Sequence, residues 1–200
     1  MTKTLEFYFD FGSPNAYLCH HALKPLIART GATLVYKPAL LGGIFKATNN
    51  QPPMMAFKDI KGKMAYEQTE FVRFVRKHDL AKFTFNSHFP VNTLLLMRGA
   101  MAAKRDGTLP TYIDAGLAAM WEEDRNMSEP EVFAATFTAS GLDGEKLLSD
   151  TQDPDIKAAL VKATEDAVAR GVFGIPTFFV GDEMFFGKER LSQIEEELNA

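Results

Sequence analysis

The sequence predicts an α/β protein in which a small sheet domain, built from both ends of the chain, carries a large all-helical subdomain inserted between its halves. Three observations predict it. Residues 5–36 read as strand, helix, strand, residues 177–198 read as a hairpin followed by a helix, and the stretch between them is almost wholly helical in pattern. A connection that long between strands of one sheet has to be a folded insert rather than a loop. The expected division is therefore 1–38 and 172–200 for the sheet domain, in β-α-β and β-β-α order, with 39–171 as the insert.

Each element has its own signal. Leu5 to Phe11 is aromatic and largely apolar, as a strand buried on both faces is. Ser13 is placed to cap a helix whose first residue is Pro14, where the missing amide proton costs nothing. That helix runs to Arg29 and stops at Gly31. Ala32 to Tyr36 supplies a second strand, closed by Pro38. Within the insert, helices fit Met64 to His78, Thr93 to Arg105 and Thr111 to Glu123. Ser128 with Glu131 reads as a capping box for a helix that Gly141 ends. Asp153-Pro154 opens another, which carries Ile156, Leu160, Val161, Ala167 and Val168 up to Gly171. At the far end, Thr177 to Val180 and Met184 to Phe186 flank a Gly181-Asp182 turn, and Leu191, Ile194 and Leu198 mark a last helix. No repeat or polar linker interrupts the chain, so the insert is expected to pack on the sheet, with a ligand in the crevice between them. Met54, Met55, Met97, Met101 and Met120 are expected in the core, some of them lining that crevice.

Composition narrows the function. At 200 residues, 46% hydrophobic and 24% charged, the chain is an ordinary globular protein large enough to fold without disulfide or metal staples. A net charge of −4 argues against nucleic acid as the main partner. The lone Cys19 has no partner for an internal disulfide and reads as buried and inert. The opening MTKTLEFYFDFGSP lacks the features of a secretory signal, and no stretch approaches membrane-spanning length. A cytoplasmic protein with no membrane partner is the expectation. His20 and His21 are helical neighbours that face different directions, and His78 and His88 lack ligand partners, so no metal site is expected.

Two segments carry the chemistry. Phe9 to Tyr17, FDFGSPNAY, delivers the Ser13 hydroxyl to the first turn of a helix, where free amides and the positive end of the helix dipole favour an anion such as a thiolate. Gly171 to Asp182, GVFGIPTFFVGD, puts Pro176 directly before a buried strand. Proline removes a ladder donor there, and a cis Ile175-Pro176 bond would leave the Ile175 backbone open to a ligand.

This pairing of an early F-D-F-x-S-P-x-x-Y with a late V-F-G-I-P-T-F-F-V-G-D-E-M-F-F-G-K-E-R-L resembles the 2-hydroxychromene-2-carboxylate isomerases. These are glutathione-dependent relatives of the kappa-class glutathione transferases, in the DsbA-like branch of the thioredoxin superfamily. Asn50-Gln51-Pro52-Pro53 and Lys61-Gly62 resemble further elements of that family. The resemblance implies a thioredoxin-like sheet domain, glutathione as cofactor, a small aromatic 2-oxo acid as substrate and a homodimer. It implies that Ser13 is catalytic, donating a hydrogen bond that favours the thiolate of glutathione, whose own sulfur is the attacking atom. Ile175, before Pro176, would pair through its backbone with the cysteinyl portion. Phe186, Gly187, Lys188 and Glu189 would hold the γ-glutamyl end, with Glu189 on its ammonium. Asn50 and Lys61 would contact the tripeptide or an acidic substrate, although Asn49 and the lysines Lys46, Lys58 and Lys63 stand close enough in sequence to compete. Those lysines or Arg98 would anchor the substrate carboxylate.

The implied activity is cis-trans isomerisation of 2-hydroxychromene-2-carboxylate and trans-o-hydroxybenzylidenepyruvate-type compounds by reversible thiolate addition. A kappa-like transferase shares every thiol-activating group, and a non-catalytic peptide-binding module would keep the same groove. Dithiol exchange is disfavoured, since Ser13 and Ala16 occupy the two cysteine positions of a C-x-x-C.

Overall fold

In the structure, a computed structural model that describes residues 2–200, four strands form one sheet. They are β1 (Thr4–Phe9), β2 (Thr33–Pro38), β3 (Thr177–Val180) and β4 (Glu183–Phe186), in the order β2-β1-β3-β4. β1 runs parallel to β2, with Phe7 opposite Tyr36, and antiparallel to β3, with Leu5 opposite Val180 and Phe7 opposite Phe178. β3 and β4 close the hairpin, with Thr177 opposite Phe186. The centre of the sheet is aromatic: Phe7 stacks on Phe178 at 4.9 Å between ring centroids, and Phe9 meets Phe11 and Tyr36 edge-on. β1 ends at Phe9, two residues before the expected Phe11, because the Ser13 amide folds back onto the Asp10 carbonyl at 3.1 Å and turns the chain out of the ladder.

Helix α1 (Pro14–Thr30) starts and stops where its caps require. The Ser13 side chain accepts the Ala16 amide, and Gly31 adopts φ +68° with its amide on the Ile27 carbonyl. Between β2 and β3 the chain is helical: α2 (Leu41–Thr48), α3 (Pro53–Ala56), α4 (Lys63–Lys77), α5 (Leu94–Arg105), α6 (Leu109–Trp121), α7 (Pro130–Ala139), α8 (Gly144–Asp150) and α9 (Pro154–Ala169). A single-turn 3-10 helix (Lys188–Arg190) and α10 (Leu191–Asn199) follow β4. The helical insertion in a thioredoxin-like sheet protein is thus present as expected.

Several local expectations need correction. The Ser128–Glu131 capping box does not form. Ser128 bonds the Asn126 side chain at 2.6 Å, and α7 begins later because Pro130 takes its first position and leaves Glu129 as a cap without a side-chain hydrogen bond. Val161 on α9 is 56% exposed, so the buried stripe of that helix is Ile156, Leu160, Thr164 and Ala167. Met97 and Met120 lie in the core, whereas Met54 and Met55 stand exposed on α3. Helix α2 was concealed by Gly42-Gly43. A Cβ on Gly43 would come within 3.1 Å of Thr164, whose hydroxyl accepts the Leu40 amide and so docks α9 on the start of α2.

The insert reaches the sheet domain through Trp121. This residue is fully buried, and its indole N–H donates to the Phe11 carbonyl at 2.8 Å, beside the Ser13 turn. Among the described residues, no helix is long and apolar enough to cross a membrane.

Candidate active site

The site is built on the turn from β1 into α1. Ser13 is 4% exposed, and its hydroxyl serves two neighbours, accepting the Ala16 N–H at 3.2 Å and donating to the Ile175 carbonyl at 3.3 Å. A hydroxyl has one donor and two acceptor positions, so one lone pair remains in the first turn of α1, where Pro14 has no N–H, Ala16 and Tyr17 donate to Ser13, and the Asn15 amide has no partner among the described residues. Ile175 stands just before β3, outside the ladder, and the Ile175–Pro176 bond is cis. Its amide makes no hydrogen bond among the described residues, and its carbonyl is held by Ser13. The two motifs, far apart in sequence, therefore meet at one point.

The other residues implied by sequence distribute around this point. Gly187 donates its amide to the Pro176 carbonyl at 3.0 Å, which fixes the strand end bearing Phe186 against the proline. The Phe186 ring lies 4.6 Å from that of Phe173 and covers Gly174, where a Cβ would fall 2.9 Å from a ring carbon. Asn50, rather than Asn49, reaches the proline loop, donating to the Phe173 carbonyl at 2.8 Å. Asn49 is instead the left-handed C-cap of α2 at φ +53°. Lys188 is 5% exposed and its ammonium is bonded to Glu189. Burial pushes the Glu189 carboxyl up, but the Lys188 hydrogen bond and charge outweigh it, and the group stays below the ordinary glutamate range. Lys61 is exposed and makes no contact with Ser13, Ile175 or Glu189 through any hydrogen bond or ion pair among the described residues, so the structure does not bring it into the group. Lys63, two residues on, lies over the Phe57 ring and pairs with Glu67 at 2.5 Å, near enough to Glu189 to feel its charge.

Two unpaired polar groups lie on the helices that frame the turn. The Asn15 side-chain oxygen, on the second residue of α1, and the Arg98 Nε, on α5, are both buried and without a hydrogen-bond partner among the described residues. Such groups mark a place for a ligand or water. The sequence signal for Arg98 is its isolation, since it is the one charge in the run Leu94 to Ala103. Asp10 gives a similar signal within FYFDFG, and sequence reasoning assigned it no role.

The remaining titratable groups belong elsewhere. His20 is buried between the Tyr36 hydroxyl and the Asp114 carboxylate, each at 2.8 Å, joining α1, β2 and α6. His21 is held down to about 4 by burial first and then by the charges of His20 and Lys24. Burial pushes the Cys19 thiol far up, leaving it unreactive. A cleft of about 350 Å³ between α1, α4 and α10 touches the site only through Lys188 and Glu189.

The chain is similar to known proteins along nearly its whole length. The profile of the DSBA-like thioredoxin domain matches residues 4–199. A 2-hydroxychromene-2-carboxylate isomerase of Sphingobium xenophagum is 28% identical over 195 residues, covering 98% of this chain and 97% of that protein. Human glutathione S-transferase kappa 1 is 25% identical over 209 residues, covering 96% and 88%. A solved structure of 2-hydroxychromene-2-carboxylate isomerase superposes with a TM-score of 0.83 at 26% identity, covering 96% of this chain and 93% of that one. A probable DsbA oxidoreductase from Streptomyces coelicolor shares the fold, with a TM-score of 0.71 at 19% identity over 98% of this chain and 89% of that one.

Proposed function

The chain belongs to the DSBA-like thioredoxin domain family, and from that premise we propose that it is a glutathione-dependent cis-trans isomerase of 2-hydroxychromene-2-carboxylate and trans-o-hydroxybenzylidenepyruvate-type aromatic 2-oxo acids. One observation carries the reading. A hydroxyl, not a thiol, faces the Ile175 carbonyl across the groove, and Ala16 stands where a second cysteine would be needed for dithiol exchange.

The residues present fit the tripeptide. The unpaired Ile175 amide and its carbonyl offer an extended peptide one donor and one acceptor, as an added strand requires. Glu189 offers a carboxylate to the γ-glutamyl ammonium, and Asn50 and Gly187 hold the loops that shape the groove. Bound glutathione would supply the thiolate that adds reversibly to the conjugated double bond and permits rotation about it. The part of Ser13 is to turn its hydroxyl from the Ile175 carbonyl to the sulfur, at the positive end of α1, so that the ionised form is favoured at neutral pH. Arg98 is the better anchor for the substrate carboxylate than the exposed lysines near Asn50. Its Nε is already desolvated and unpaired, and helical side chains lean toward the N-terminus, here toward Thr93, which packs against Gly12.

The test is a spectroscopic turnover assay on hydroxybenzylidenepyruvate-type compounds with and without glutathione, with the product weighed by mass spectrometry. An isomer of unchanged mass, formed only with glutathione, is the expected result. A thioether product would favour a kappa-like transferase, in keeping with the similarity to human glutathione S-transferase kappa 1. Turnover independent of glutathione would refute both.

A further inference from the structure

Asp10 sits three residues before Ser13 with its side chain fully buried. One carboxylate oxygen accepts the Gly12 amide and the other the Leu41 amide, each at 2.8 Å, while its carbonyl accepts the Ser13 amide at 3.1 Å. Gly12 and Ser13 belong to the turn that bears the site hydroxyl. Leu41 is the first residue of α2. The far end of α2 leads through Asn49 to Asn50, whose amide holds the Phe173 carbonyl, and two residues further on the Ile175 carbonyl accepts from Ser13. These bonds close a circuit: Ser13 turn, Asp10, α2, Asn50, proline loop, and back to Ser13.

We propose that Asp10 is a positioning residue, which sets the Ser13 hydroxyl against the Ile175 backbone by gripping the Ser13 turn and the start of α2 with its two oxygens. The chemistry of the position calls for a carboxylate. Both partners are N–H donors, so both side-chain atoms must be acceptors, and an asparagine would turn its own N–H₂ toward one of them. Isolated charges are costly to bury. Here burial holds the carboxyl above the ordinary aspartate range, and the two amides and the Thr93 hydroxyl offset only part of that rise; the amide at the start of α2 belongs to the positive end of that helix. A residue needed only to fill space would not be ionisable.

The catalytic consequence rests on the glutathione reading, whereas the gripping itself does not, and the experiments separate the two. In Asp10→Asn, kcat should fall roughly tenfold or more, the size expected from loss of one hydrogen bond to a charged group. KM for the aromatic substrate should stay within about a factor of two, on the same argument that only the thiol end of the site is displaced. The pH profile should move to higher pH, because a displaced hydroxyl stabilises the thiolate less; a merely structural residue would leave that profile in place. Unchanged kcat and pH profile in a folded Asp10→Asn protein would overturn the proposal. Amide hydrogen exchange in the wild type decides the case if that variant fails to fold. Gly12, Ser13 and Leu41 should exchange slowly and together, and fast exchange at Leu41 or Gly12 overturns the proposal. Should calorimetry show that the wild type does not bind glutathione, the functional reading fails while the exchange of these amides still decides the role of Asp10.

Discussion

Replacing Ser13 by alanine separates two roles that its hydroxyl holds at once. In the structure it caps α1 by accepting the Ala16 amide at 3.2 Å and donates to the Ile175 carbonyl at 3.3 Å, with the residue 4% exposed. Losing the cap costs about 1 kcal/mol, which for a chain of this size lowers Tm by about 2–4 °C. Losing a hydrogen bond to a thiolate costs about 1.5–3 kcal/mol, or about 1–2 pH units in the titration of the bound thiol. At neutral pH that becomes a fall in turnover of about 10- to 150-fold. Calorimetry measures the first quantity, and ultraviolet titration of the thiolate together with turnover measures the second. Ser13→Thr, which keeps the hydroxyl, should recover much of both. If Ser13→Ala loses the expected few degrees of Tm yet keeps wild-type turnover and thiol titration, Ser13 is a helix cap and nothing more, and the mechanism collapses.

Three further outcomes follow from the same geometry. Ser13→Cys should fail to catalyse reduction of insulin disulfides, because Ala16 supplies no resolving thiol; efficient turnover in that assay would mean the groove has been misread. Arg98→Gln should raise KM for the carboxylated substrate by roughly tenfold or more, the worth of one charged hydrogen bond, while the Kd of glutathione measured by calorimetry stays put; an unchanged KM would exclude Arg98 as the anchor. His21 is depressed to about 4 in the folded protein by burial and by His20 and Lys24, so the unfolded chain binds its proton first. Its contribution is complete above about pH 6.5 and is lost as pH falls toward about 4, by about 1–2 kcal/mol after allowing for partial exposure. Urea midpoints of wild type and His21→Gln compared at both ends of that window should differ in their pH dependence, and parallel behaviour would contradict the assignment.

What the sequence disclosed and what it withheld divide along the range of the interactions. The start of α1 was legible because Ser13, Pro14 and Gly31 act on their nearest neighbours, and the hairpin because Gly181 permits a turn that few other residues adopt. Helix α2 was not, since two adjacent glycines erase its pattern and the reason for them is the approach of Thr164 from α9. The capping box at Ser128 was misplaced because Pro130 fixes the first turn more strongly than Ser128 does. In the site, the resemblance named Ser13, Ile175 and Asn50. The bonds from Asp10 to Leu41 and from Trp121 to Phe11 join elements distant in sequence and leave no local pattern to read. Lys61 is hard to place for the opposite reason, that one exposed lysine among several looks like any other.

The strand order has a consequence for how the molecule is made. β1 lies in the middle of the sheet, with its parallel partner β2 following within a few dozen residues and its antiparallel partner β3 only at residues 177–180. During synthesis, the backbone edge of Leu5, Phe7 and Tyr8 that will meet β3 has no strand to pair with until the entire run of helices has left the ribosome. At roughly 5–20 residues per second that interval lasts several seconds or more. Throughout it, a nascent β-α-β unit presents an open aromatic edge of the kind that templates association between chains. Growth conditions that slow translation through the helical segment should lengthen this exposure, and chaperone capture of stalled chains should peak before residue 177 emerges and fall after residue 180.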